Sequence, residues 1–263
     1  MRRSANFQGG FTLIEMVIVM VITGIIGGMV AMFMRAPVQG YADSARRADM
    51  SDIADTALRR IGRDLRLALP NSVRVTGSNT IDFLSTIGGG RYRAGAGGAN
   101  DELDFTVADT SFEVLGAMPA MVAGDQIVVY NLGIPGADAY QNNNRAAYSS
   151  NAGGVITFAA GKRFPLESPG KRFNVVREQV RYICDTATGN LTRYWGFPIA
   201  APSAGVPVGG SSALMASHVS ACNFIYDSHV VAQRSGLVTM RLSITEGGET
   251  VTLYSATHVS NVP

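Results

Sequence analysis

From Phe11 to Met34 the chain is apolar at nearly every position, with Thr12, Thr23 and a single carboxylate, Glu15, as the polar exceptions. A helix over this stretch rises about 36 Å, against a hydrocarbon core of about 30 Å, so it can cross a bilayer with some tilt. A cleavable secretory signal has an apolar core of only about 7–15 residues. The run therefore reads as a transmembrane helix over 11–34. Arg2 and Arg3 precede it; the positive-inside rule keeps them cytoplasmic and predicts export of everything beyond about Arg35.

Over 35–69 the period becomes that of an amphipathic helix. Ile53, Ala57, Ile61, Leu65 and Leu69 recur every four residues as an apolar stripe, and Arg46, Asp49, Asp52, Arg59, Arg60, Arg63 and Asp64 make a solvated face. Asp55 and Arg59 have the i,i+4 spacing of an ion pair. Pro37 predicts a kink, and Pro70 a stop, because the residue before a proline is pushed away from helical angles. Beyond Pro70 the period falls to two. Strands are predicted over 80–84, 102–107, 126–130, 179–184, 191–194, 237–244 and 250–254. Hairpins are predicted through Asp185 to Asn190 and through Glu246-Gly247-Gly248-Glu249, where glycine supplies the positive backbone angles of a tight turn. Segments 131–154 and 196–215 are polar or rich in Gly and Pro and read as long surface loops. One long helix followed by strands implies an α+β fold, in which the helix stripe covers the apolar face of an antiparallel β-sheet and 70–263 form one β-rich domain.

At 263 residues and 46% hydrophobic the composition is globular, with enough chain beyond the anchor for one good core or two small ones. The formal charge of +2 equals the contribution of Arg2 and Arg3, and the remainder balances. A nucleic-acid partner, which wants a basic patch, is not expected. Cys184 and Cys222 both fall in the exported part, where an oxidising compartment favours a disulfide, and closing that loop stabilises by roughly 4 kcal/mol on the chain-entropy argument. The rival readings are a reactive thiol and a metal site, but there is no CxxC spacing and His218 is the only histidine near either cysteine.

Glu15 stands out chemically. An unmatched carboxylate in lipid costs several kcal/mol, and a cation about 4 Å away offsets about 4 kcal/mol at an effective dielectric of 20. Gly24 and Gly28 form a GxxxG pair suited to close helix packing. The basic leader followed by Gly10-Phe11-Thr12-Leu13-Ile14-Glu15 resembles the processing site of type IV pilins and type II secretion pseudopilins. That resemblance implies removal of leader 1–10 by a prepilin peptidase cutting between Gly10 and Phe11, N-methylation of Phe11, and a Glu15 that meets the free amine of a neighbouring subunit and sets axial register. Arg63-Asp64-Leu65, Ala68 to Val75, Val180 to Cys184, Arg193-Tyr194 and His258 to Pro263 further resemble minor pilins of mannose-sensitive haemagglutinin (MSHA) type. The implied partners are the prepilin peptidase, other major and minor pilins, the inner-membrane assembly platform and the membrane itself. No cofactor and no enzymatic activity are implied.

Other candidates are weaker. Gly161-Lys162 and Gly170-Lys171 lack the earlier Gly and the following Ser or Thr of a phosphate loop. His218, His229 and His258 show no metal-ligand spacing. Asp101, Glu102 and Asp104 read as a solvated strand edge, with calcium as the rival. Ser217-His218 near Asp227 is not accompanied by a GxSxG elbow, and Trp195 reads as core. Two other classes compete with a minor pilin of the pilus: a type II secretion minor pseudopilin, and a signal-anchored periplasmic enzyme or glycan binder, for which no convergent polar set is present.

Overall fold

A single long helix, α1 (Leu13–Leu65), opens the fold in the computed structural model, which describes residues 11–95, 101–228 and 235–263. Two compact units divide at Asp49/Met50. In the first, α1 presents apolar side chains to its surroundings throughout 13–34 and continues through Pro37. Its one stretch long and apolar enough to cross a membrane lies here.

The second unit begins with the last turns of α1. Met50, Ala54, Ala57, Leu58, Ile61 and Leu65 are buried on one face. The stripe differs from the expected one: Ile53 is only partly buried, and two of the deepest positions are alanines. Asp55 and Arg59 are paired at 2.7 Å, as their spacing suggests. The helix stops at Leu65 rather than Leu69. After a tightened last turn, Leu69 N–H donates to Leu84 and Thr86 N–H to Leu67, so the chain is captured by a strand before Pro70 is reached.

Among the described residues twelve strands follow: β1 (Arg74–Thr76), β2 (Thr80–Tyr92), β3 (Asp109–Leu115), β4 (Gln126–Val129), β5 (Arg145–Ala152), β6 (Val155–Lys162), β7 (Arg172–Asp185), β8 (Asn190–Trp195), β9 (Ser211–Ala216), β10 (Val219–Asp227), β11 (Ser235–Glu246) and β12 (Glu249–Ser260). Nine form one antiparallel sheet in the order β1-β2-β3-β6-β5-β4-β7-β8-β9, and β10-β11-β12 form another. β2 also pairs with β7, so six strands close on themselves. Both expected hairpins are present, β7–β8 and β11–β12, the latter with Gly247 and Gly248 at positive φ of 59° and 83°.

Two expectations are corrected. Residues 102–107 form no strand: Asp104 accepts hydrogen bonds from both the N–H and the hydroxyl of Thr106 at 2.6 Å, a local side-chain turn that competes with ladder formation. Segment 131–154 is not a continuous loop, because it holds β5 and a short 3₁₀ helix, Ala139–Gln141, capped by Asp138. Segment 196–215 is irregular as far as Gly210, and β9 occupies its end.

β2 and β7 run through two cores. Their paired ends near Phe83 and Tyr182 join the α1 stripe and Phe224, Met240 and Leu242 of the smaller sheet. Their other ends join an aromatic cluster of Tyr92, Phe112, Phe158, Phe164 and Phe173 inside the closed strands. On the face of β2 away from α1, Asp82 is fully buried and accepts from Arg181 Nε at 2.7 Å and Gln179 Nε2 at 2.8 Å. Burial pushes its carboxyl above the ordinary value, with Arg181 and Gln179 pulling the other way. Arg181 in turn donates to Ser203 Oγ and to the carbonyl of Gly205, and lies over the ring of Phe197. This ion pair therefore holds down the segment that follows β8.

Asp64, assigned by the helical pattern to the solvated face, is instead only 15% exposed and anchors the end of α1 on β7 and β8. It accepts from Tyr182 Oη and Arg193 Nε, each at 2.8 Å. Burial, then the charge of Asp64, pushes the Tyr182 hydroxyl well above its ordinary value, so it stays an O–H donor. Asp64→Ala removes two charge-assisted bonds and is expected to destabilise the domain by about 2–3 kcal/mol in urea unfolding; a loss under about 0.5 kcal/mol would mean that the network is solvated.

Candidate assembly site on the apolar helix

Thr12 is the cap of α1. Its hydroxyl accepts from Glu15 N–H at 3.3 Å, and its carbonyl accepts from Glu15 and Met16. Thr12-Leu13-Ile14-Glu15 is thus the S/T-x-x-E pattern of a capping box, with the acid on the first turn, where the helix dipole favours negative charge. The sequence carried this signal in full, but Thr12 was read only as part of a larger motif. Glu15 is exposed among exposed apolar neighbours, including Leu13, Ile14, Met16 and Ile18. Among the described residues its carboxylate has no ion-pair partner.

Phe11, the first described residue, is 82% exposed. Gly10 and the rest of the leader lie outside the described residues, so the cleavage site has no structural description here. At Gly24 and Gly28 an added Cβ would meet nothing within 4 Å, which leaves both free to admit a close neighbour and shows none in place.

Cys184 and Cys222 are joined by a disulfide that ties β7 of the larger sheet to β10 of the smaller one. The turn before β2 supports the same junction: Asn79 exchanges hydrogen bonds with Cys184, and Ser78 accepts from Phe224 N–H.

The remaining candidates do not converge. His218 is half-exposed, with Ser217 Oγ at 3.5 Å and Glu246 at 3.9 Å, both longer than a catalytic hydrogen bond. His258 is exposed, and His229 lies outside the described residues. Hydrogen bonds from Thr106 hold the Asp104 carboxyl below its usual range, and no cluster able to hold a metal ion occurs among the described residues. Lys162 donates to the Asn142 carbonyl and Lys171 pairs with Glu167. Trp195 is partly buried against the main core, under Arg193 at 4.8 Å. A groove of about 710 Å³ is bordered by Tyr130, Tyr226 and Arg74. The Arg74 guanidinium is already taken up by the carbonyls of Asn71, Val73 and Gly133.

What the first unit presents is therefore a capped helix with a long apolar exterior, one acid near its start, and two glycines a turn apart. Residues 6–31 match the family described as Prokaryotic N-terminal methylation motif, the type IV pilin signal. The match covers the N-terminal segment and leaves residues 32–263 outside it. No curated protein and no solved structure matches the chain.

Proposed function

We propose that this chain is a minor pilin of a type IV pilus system of MSHA type, similar to the biogenesis protein MshO. It acts as a structural subunit that initiates or caps fibre assembly at the inner membrane and catalyses no reaction. The observation that carries this reading is the coincidence of the methylation motif over 6–31 with a solitary acid, Glu15, at the start of an exposed apolar helix. Cleavage after Gly10 creates an ammonium at Phe11, and Glu15 of one subunit pairs with that ammonium in its neighbour. The membrane segment holds the precursor as a single-pass protein, with the β-rich domain in the periplasm until it joins the fibre. Prepilin peptidase, other pilins and the assembly platform are its partners.

The mass of the protein extracted from membranes tests this in one measurement. Leader removal and one added methyl are expected; an uncut chain that still begins with Met1 overturns the reading. Co-purification then separates the two fibre systems, since capture of type II secretion components in place of pilus subunits would assign the chain to a pseudopilus.

Glu15→Ala is expected to insert normally but to enter fibres at least tenfold less often, because the neighbour's ammonium loses the counter-charge of Glu15, worth about 4 kcal/mol at 4 Å. Quantifying the subunit in sheared fibres and in membranes checks this. Equal fibre content in variant and parent would remove Glu15 from the assembly contact.

A further inference from the structure

Strand β12 is an edge without the usual protection. It pairs with β11 over all twelve of its residues in unshifted register, and no other strand pairs with it among the described residues. After Glu249 it contains no charged residue, no Pro and no Gly. Native sheets ordinarily blunt such edges with lysine, proline, bulges or a covering element.

The turn fixes which backbone groups are free. A two-residue hairpin makes Glu246 and Glu249 the first hydrogen-bonded pair, so alternation turns the N–H and C=O of Thr250, Thr252, Tyr254, Ala256 and His258 away from β11. The side-chain contacts of Thr245 with Thr250 and of Ser243 with Thr252, each 2.8 Å, agree with those being the close, non-bonded pairs. Beside this edge lies a groove of about 290 Å³ between the end of α1 and Ser255 to Thr257, overlooked by Arg59, Arg63 and Arg66. Arg59 is held by Asp55. Arg63 and Arg66 are exposed and have no ion pair or hydrogen bond among the described residues.

An open ladder under unmatched cations selects its occupant by charge. We propose that β12 accepts an extended segment of a partner protein as a further strand, with acidic side chains at alternate positions facing Arg63 and Arg66. Alternate side chains on a strand fall on one face about 7 Å apart, and Arg63, in the last turn of α1, and Arg66, just beyond its end, both border the groove, so two long guanidinium side chains can each meet one carboxylate. Main-chain bonds supply affinity and the arginines choose the sequence. The proposal concerns a surface apart from the apolar helix and stands whether or not the chain is a pilin.

The full chain in detergent micelles tests it with an acetylated peptide, Thr-Val-Glu-Val-Glu-Val-Thr, and its lysine-for-glutamate counterpart. The glutamate peptide is expected to bind and to slow amide exchange at Thr252, Tyr254 and Ala256. R63E/R66E, two exposed changes that leave the core intact, is expected to weaken it about tenfold or more and to reverse the preference toward lysine. Of two peptides N-methylated at complementary alternate amides, one should bind and the other fail. The proposal is overturned by absence of binding at millimolar peptide, equal binding of the glutamate and lysine peptides, unchanged affinity in R63E/R66E, binding of both methylated peptides, or protection of the same amides by self-association without peptide.

Discussion

Asp82→Ala is expected to lower the unfolding free energy of the β-rich domain by about 3–5 kcal/mol. The carboxylate is fully buried on β2, and its removal strands the Arg181 guanidinium, itself 3% exposed, without a counter-charge. Most of the penalty comes from that stranded cation rather than from the net worth of the pair. Asp82→Leu combined with Arg181→Met is therefore expected to recover the greater part, because two apolar side chains of similar volume leave no charge to solvate. The double variant should still loosen the segment around Ser203 and Gly205, which loses its donor from Arg181. Urea unfolding followed by Trp195 fluorescence gives the energies, and limited proteolysis reads the segment. If the double variant is as unstable as Asp82→Ala, the stranded-charge account fails.

Second in size is the disulfide. With both cysteines changed to alanine, the domain is expected to lose about 4 kcal/mol, set by the loop between positions 38 apart in sequence. The location matters as much as the loop length. The bond joins the two sheets, so its loss frees β10–β12 to separate from β7, and hydrogen exchange should quicken across β10, β11 and β12 more than in the closed six strands. Uniform acceleration over both sheets would mean that the link acts only on the unfolded chain.

The parts of this molecule that were legible carry local signals. The apolar run from Phe11 to Met34 is contiguous, and both hairpin turns are written in a few adjacent residues. Cys184 and Cys222 could be matched because only one pair was possible. What the sequence hid was governed by contacts between distant positions. Asp64 sits on the polar side of the helical pattern, yet Tyr182 and Arg193, more than a hundred residues later, draw it inward. The partners Asp82 and Arg181 are separated by 99 positions. β5 was missed because only Ala146 and Tyr148 of its eight residues are buried, a pattern too sparse to distinguish from loop. The helix end was misplaced for a similar reason: Leu69 is buried as expected, but by pairing beside Leu84 rather than on a helical face. Thr12 is the opposite case, a fully local capping signal passed over because a longer motif contained it.

The ladder between β2 and β7 joins residues about eighty to about a hundred positions apart, so it closes late during synthesis. Until β7 has emerged, Ile81, Phe83 and Leu84 have only β1, the end of α1 and Leu69 to pack against, and the other edge of β2 is open to wrong strand pairing. The β5–β6 hairpin, by contrast, needs only its own few residues to form. The protein thus emerges with β2 paired on one side only until β7 is made, and a holding chaperone that binds near residue 80 during that interval would raise the yield of correctly folded domain.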